Sequence, residues 1–102
     1  MLYKKSKKHT NTESVYLAAV RVLSCAVCNR LGDCTPCEEI HHILECGRRI
    51  GHGVVLPLCR EHHQGDNGIG GLGKRGFEAR YKFTELDLLN DTILRIASGK
   101  IY

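Results

Sequence analysis

The stretches Ile40-His41-His42-Ile43-Leu44 and Leu56-Pro57-Leu58-Cys59-Arg60-Glu61-His62-His63 hold four of the chain's six histidines, in two doublets. In an extended strand neighbouring side chains point to opposite faces, so His41 and His42 cannot both address one point. One imidazole is then free to bind a metal ion while the other acts as a proton acceptor. On a helix, neighbours are turned by about 100°, so His62 and His63 serve different centres. Two such doublets beside paired cysteines imply two metal centres, one closed and structural, the other open and hydrolytic.

Working outward, the chain of 102 residues is one domain with a thin core. It has no tryptophan, two phenylalanines and eleven glycines. A domain this small usually needs a staple, and six cysteines supply candidates. The opening Met1-Leu2-Tyr3-Lys4-Lys5 has no apolar run behind its charges, and no stretch is long enough to span a bilayer. A cytoplasmic, reducing setting is therefore expected, which favours thiolates on metal over disulfides. The net charge of +4 is compatible with a polyanion without requiring one. Lys4, Lys5, Lys7 and Lys8 form an N-terminal cluster, while Arg48, Arg49, Arg60, Lys74 and Arg75 surround the histidines. Cations beside a hydrolytic centre point to a phosphodiester rather than an ester or peptide.

Residues 1–11 are expected to be a flexible basic arm and residues 12–102 the folded domain. Thr12 predicts a capped helix from Glu13 to about Leu23, with Val15, Ala18, Ala19, Val22 and Leu23 as its apolar face. A cysteine knuckle follows from Cys25 to Cys37. Ile40–Leu44 and Val54–Leu58 read as strands, Pro57 marking an edge or strand end. Gly47, Gly51 and Gly53 predict a loop around Arg48 and Arg49. Cys59–His63 should form a short helix that Gly65 stops. Asp66–Gly76, with five glycines, reads as a loop, and Phe77–Lys82 as a short helix. Thr84 and Asp87 predict a capping box, and Leu86, Leu89, Ile93 and Ile96 an apolar stripe packed in the core.

Cys25-x2-Cys28 and Cys59-x2-His62 each present two donors from one tight turn, and together make a Cys3His set for structural Zn2+. A closed site of this kind contributes on the order of 10 kcal/mol to folding, enough to offset a meagre core. Cys34-x2-Cys37 is a rival pair, and Cys46 a spare. For the open centre the assignment is His41 and His63 as ligands of a divalent ion such as Mg2+ or Mn2+, with His42 as general base. Asn67, four positions after His63, is the third candidate ligand and Asp66 its alternative; His52 is a candidate for orienting the base or binding phosphate. The competing reading puts His41, His42 and His63 on a second closed zinc with Cys34 or Cys37.

Cys25-Ala26-Val27-Cys28, His41-His42-Ile43, Leu56 to Gly65 and Glu85-Leu-Asp-Leu-Leu-Asn-Asp-Thr-Ile93 together resemble the HNH (ββα-metal) endonuclease superfamily. More narrowly they resemble the phage recombination-enhancement, RecA-dependent nuclease family. The resemblance spans roughly residues 13 to 97. It implies an α+β fold: a small zinc-stapled ββα-metal (HNH) core with flanking N- and C-terminal helices. It also implies a divalent-metal DNA endonuclease of phage or prophage origin, working on DNA in the bacterial host cytoplasm, with the RecA recombinase filament as a candidate partner. Carried over by position, His41 and His63 would bind the metal and His42 would be the base. Relatives often carry a further histidine or carboxylate after the second doublet, where this chain has Asp66 and Asn67. The superfamily's middle asparagine has no clear counterpart, His52 being the nearest polar residue. The alternative function is a noncatalytic zinc-binding module that binds DNA or serves as a recombination adaptor.

Overall fold

A computed structural model describes residues 9–99, so the lysine cluster at positions 4–8 lies outside the described residues. Among those described, five helices and two small antiparallel sheets make an α+β fold.

The first helix, α1 (Asn11–Arg21), begins two residues earlier than Thr12 would place it. Thr10 is the N-cap, and it forms a reciprocal capping box with Glu13: each side chain takes the other's backbone N–H. The helix therefore starts inside the segment expected to be a flexible arm. Its buried face is Leu17 and Val20 with Tyr16 alongside, while Val15 and Val22 are 71% and 62% exposed. The chain then turns through buried Leu23 and Ser24 into α2 (Ala26–Arg30). Backbone bonds return the following loop to this turn, with the Cys25 N–H donating to the Thr35 carbonyl at 2.7 Å.

Strand β1 (Glu39–His42) pairs antiparallel with β4 (Val55–Leu58), His41 opposite Leu56 and His42 opposite Val55. Ile43 donates to Val54, so ladder bonds alternate from there and the Ile40–Pro57 pair falls between them. Proline's missing N–H costs nothing at that position. Between these strands runs a hairpin of β2 (Leu44–Glu45) and β3 (Arg48–Arg49), in place of the loop that the glycines predict. Its turn residues Cys46 and Gly47 have φ of 53° and 79°, the left-handed pair of a type I′ turn. A cysteine in the first of these positions carries no turn signal in sequence.

All four residues of β4 are buried. Leu56 and Leu58 join Val27, Ile43, Phe77, Phe83 and Leu88 in the main core. Val55 faces the other way, against Leu17 and Val20 of α1. After β4 comes α3 (Arg60–His63), one turn long. The glycine-rich segment that reads as a loop instead begins α4 (Ile69–Tyr81), broken at Gly73, which has φ 75°. The glycines serve close approach. A Cβ on Gly68 would lie 2.4 Å from the His62 carbonyl carbon, and one on Gly71 would lie 2.2 Å from the Gly65 carbonyl oxygen. A side chain at 68 would push α4 off α3, and one at 71 would push it off the Gly65–Asp66 turn.

The last helix, α5 (Glu85–Ala97), has the capping box expected of Thr84 and Asp87. Its buried face is rotated from the expected stripe, comprising Glu85, Leu88, Thr92 and Arg95, while Leu86 and Ile93 are 66% and 46% exposed. The polar members of this face have internal partners that hydropathy cannot show. Thr92 Oγ1 donates to the Leu88 carbonyl at 2.8 Å, and the Arg95 guanidinium donates to both the side chain and carbonyl of Ser24. Arg30 on α2 grips Asp91 from outside at 2.7 Å.

Gly71→Ala is expected to destabilise the fold by about 1–3 kcal/mol, because backbone must move to admit the methyl. Gly51→Ala, where a Cβ meets nothing within 4 Å, should stay within about 0.5 kcal/mol of the parent. Urea unfolding of both variants checks the contrast.

Candidate functional site

Two turns converge on the first centre. Cys25 caps α2 and Cys28 sits three residues on; Cys59 caps α3 and His62 sits three residues on. Each pair therefore puts both donors on one side of a single helical turn. His62 Nδ1 lies 3.8 Å from Cys25 Sγ, 3.4 Å from Cys28 Sγ and 3.3 Å from Cys59 Sγ, and the Cys28 and Cys59 sulfurs are 3.9 Å apart. A tetrahedral zinc with bonds of about 2.0–2.3 Å needs donor–donor edges of roughly 3.3–3.8 Å. The donor set fits a metal such as zinc. All four donor atoms lie within 4.8 Å of one another, and the three cysteines are buried.

Without a cation this packing is unfavourable for the binding forms of the thiols. Burial pushes the Cys28 thiol up to about 12, and neighbouring Cys25 and Cys59 add to the shift. Burial likewise raises Cys59 and lowers His62. A bound divalent ion reverses that balance for the thiolates. Cys34 and Cys46 are exposed. Cys37 is half-buried and donates to the Glu39 carbonyl at 3.4 Å, so the rival pair does not join this cluster.

The second arrangement grows from the alternation of β1. Glu39 and His41 lie two residues apart on one strand face, with Ile40 and His42 on the other. His41 meets His63 of α3, their rings inclined at 70° with centroids 5.0 Å apart. His63 thus turns to His41 while His62 turns to the cysteines, the divergence expected of neighbours on a helix. Each ring also meets a carboxylate: His63 Nδ1 lies 2.5 Å from Glu39 Oε1, and His41 Nε2 lies 2.6 Å from Glu85 Oε2. The His41 and His63 side chains are 12% and 22% exposed, so neither is sealed from solvent. The segment leading into β1 also seats α3, since Glu38 Oε1 accepts the Arg60 backbone N–H at 2.7 Å. That bond stands in for the side-chain cap α3 lacks.

Asn67, the expected third ligand, is engaged elsewhere. α3 ends at His63, so no helical turn carries the residue back beside it. Its Nδ2 donates to Glu61 Oε2 at 2.8 Å, and its carbonyl accepts from Tyr81. Asp66 is exposed. Glu39 and Glu85 are the carboxylates at the histidines, and sequence reasoning missed both. Glu39 was findable, being two residues from His41 on a strand. Glu85 lies 44 positions from His41, and nothing local announces their meeting.

On the opposite face of β1, His42 Nε2 lies 3.1 Å from Nδ1 of buried His52. The His9 ring packs against His52 with centroids 4.3 Å apart. Burial holds His42 well below the usual histidine range, at about 4, with the nearby Arg49 charge adding to the shift. The ring is therefore neutral near pH 7. Beside Glu85 opens a cleft of about 320 Å³ walled by Ile43, Leu44, Ile50, Lys74 and Glu78. The cations Arg48, Arg49, Arg60, Lys74 and Arg75 are all exposed.

A family model described as "Recombination enhancement, RecA-dependent nuclease" matches residues 9–97. No curated protein matches the chain.

Cys28→Ser removes one donor from the closed cluster. Metal content measured by atomic absorption should fall from near one zinc per chain to a small fraction, with loss of the cooperative thermal transition, because metal binding and folding are linked. Cys34→Ser should keep both.

Proposed function

Because the chain belongs to the recombination-enhancement, RecA-dependent nuclease family, we propose that it is an HNH-type, divalent-metal-dependent DNA endonuclease. Its substrate is DNA engaged by the RecA filament, its setting the cytoplasm of a bacterial host carrying the phage or prophage. Cys25, Cys28, Cys59 and His62 hold a structural zinc that ties α2 to the β4–α3 junction. His41 and His63 hold the catalytic ion, and His42 is the general base. Asn67, held by Glu61, is left out of this ligand set.

The observation that carries this reading is the meeting of His41 with His63, rings 5.0 Å apart, with His42 next in the strand and turned to the other face. A divalent ion such as Mg2+ or Mn2+ between those two rings would supply positive charge to the scissile phosphate and the departing 3′ oxygen. His42, neutral and in contact with His52, takes the proton of the attacking water. His52 holds the ring of the base in one orientation. Arg48, Arg49 and Lys74 neutralise neighbouring phosphates along the strand.

A noncatalytic adaptor is the second reading, and one observation favours it: Leu86, Ile93 and Leu94 of α5 are exposed and apolar. A docking face of that kind and a hydrolytic centre are compatible on one molecule.

His42→Ala decides between them. Nicking of recombinase-bound DNA in the presence of Mn2+ should fall by roughly 10²–10⁴-fold, while zinc content and DNA affinity stay at parental values. Cleavage at the parental rate by His42→Ala would rule His42 out as the base. A parental protein that binds DNA and recombinase yet cuts no form of DNA would favour the adaptor.

A further inference from the structure

The carboxylates at the histidine pair have a task beyond packing. On the premise that His41 and His63 hold the ion, we infer that Glu39 and Glu85 are its positioning residues. Glu39 accepts the proton on Nδ1 of His63 and Glu85 the proton on Nε2 of His41, so the opposite nitrogen of each ring presents its lone pair to the ion.

A neutral imidazole has one N–H and one lone pair, and a carboxylate oxygen at 2.5 or 2.6 Å accepts a proton rather than facing a second lone pair. The contacts therefore select the tautomers. His63 is protonated on Nδ1 and binds through Nε2, and His41 is protonated on Nε2 and binds through Nδ1. Holding the second nitrogen of a metal-binding histidine also fixes the ring's orientation and raises its basicity.

The surroundings of each carboxylate suit support rather than direct ligation. Glu39 Oε1 is shared by His63 and by Gln64 Nε2 at 3.0 Å, while Oε2 faces Arg60 at 3.8 Å. Oε1 is already taken by two protein donors, and Oε2 faces the Arg60 charge. Glu85 is the first residue of α5, and its side chain is only 9% exposed. Among the described residues its hydrogen-bond partner is His41. Burying a carboxylate is costly unless it is paired. Its placement on the wall of the cleft, against a histidine of the candidate centre, fits a role in holding that histidine. The two clamps come from different parts of the fold, one from β1 and one from α5. The C-terminal helix is thereby made part of the site.

The test measures Mn2+ binding, by electron paramagnetic resonance on the zinc-loaded full-length chain, independently of cleavage. Glu85→Ala and Glu39→Ala should each weaken Mn2+ binding by about 10–100-fold, with one zinc per chain and the parental circular dichroism retained. Glu85→Gln, whose amide oxygen can still accept the His41 N–H, should lie within several-fold of the parent. Equal loss in Glu85→Gln and Glu85→Ala would overturn the inference, since it would make the charged carboxylate a ligand itself. If Glu85→Ala does not fold, Glu39→Ala at the more open strand position tests the same relation for its own histidine. A parental chain that binds Mn2+ while Glu39→Ala and Glu85→Ala bind it equally well sinks this inference alone. A parental chain that binds no Mn2+ sinks the ion site, and the clamps with it.

Discussion

The convergence of two helical turns on one point governs the rest of this molecule. Cys25 and Cys28 come from the first turn of α2, Cys59 and His62 from the first turn of α3, and their donor atoms all lie within 4.8 Å. The core around them is small: Phe77 and Phe83 are its large aromatic side chains, and Val, Leu and Cys fill much of the remainder. A metal held by these four donors would supply what such a core lacks, a strong and directional crosslink. It also sets an angle. With His62 pinned to the cysteines, His63 is turned toward β1, where His41 and Glu39 meet it. The candidate hydrolytic centre thus begins one residue along α3 from the Cys3His cluster.

The same economy shows in how α3 is held. One turn of helix has too few internal bonds to be stable alone. Glu38 takes its first N–H, Glu39 takes His63, and the glycines at 68 and 70 let α4 lie directly against its backbone. Every support is aimed at the segment that carries the second histidine doublet. On the other side of β1, His42 sits beside His52 and near the Arg49 charge, an environment that keeps it neutral. One strand therefore separates the candidate metal-binding face from the candidate proton-accepting face by the pleat alone.

Much of this was legible in the sequence where the signal is local. The Thr84–Asp87 capping box, the paired strands, the cysteine pairs with two-residue spacing and the divergence of His62 from His63 all follow from residues within a turn of each other or from strand alternation. The failures share a cause: the deciding partner is distant. Glycines at 68, 70 and 71 read as a loop because the backbone they pack against, in α3 and the turn after it, is invisible in composition. Hydropathy puts Leu86, Leu89, Ile93 and Ile96 on the buried face of α5, but Arg95 finds Ser24 and Glu85 finds His41 across the fold. On α1, Thr10 outcompetes Thr12 as cap because Glu13 stands three residues after it. The Asn67 amide nitrogen donates to Glu61 Oε2, a partner six residues back that the helical spacing from His63 does not reveal.

His63 follows directly on His62 of the Cys3His cluster, so one turn of helix ties the candidate centre to that cluster. Zinc-edge X-ray absorption on the purified chain measures that site directly. The expected result is one zinc per chain with three sulfur neighbours at about 2.3 Å and one nitrogen at about 2.0 Å. A four-sulfur shell, drawing in Cys34 or Cys37 and releasing His62, would contradict it, as would a folded chain that carries no zinc.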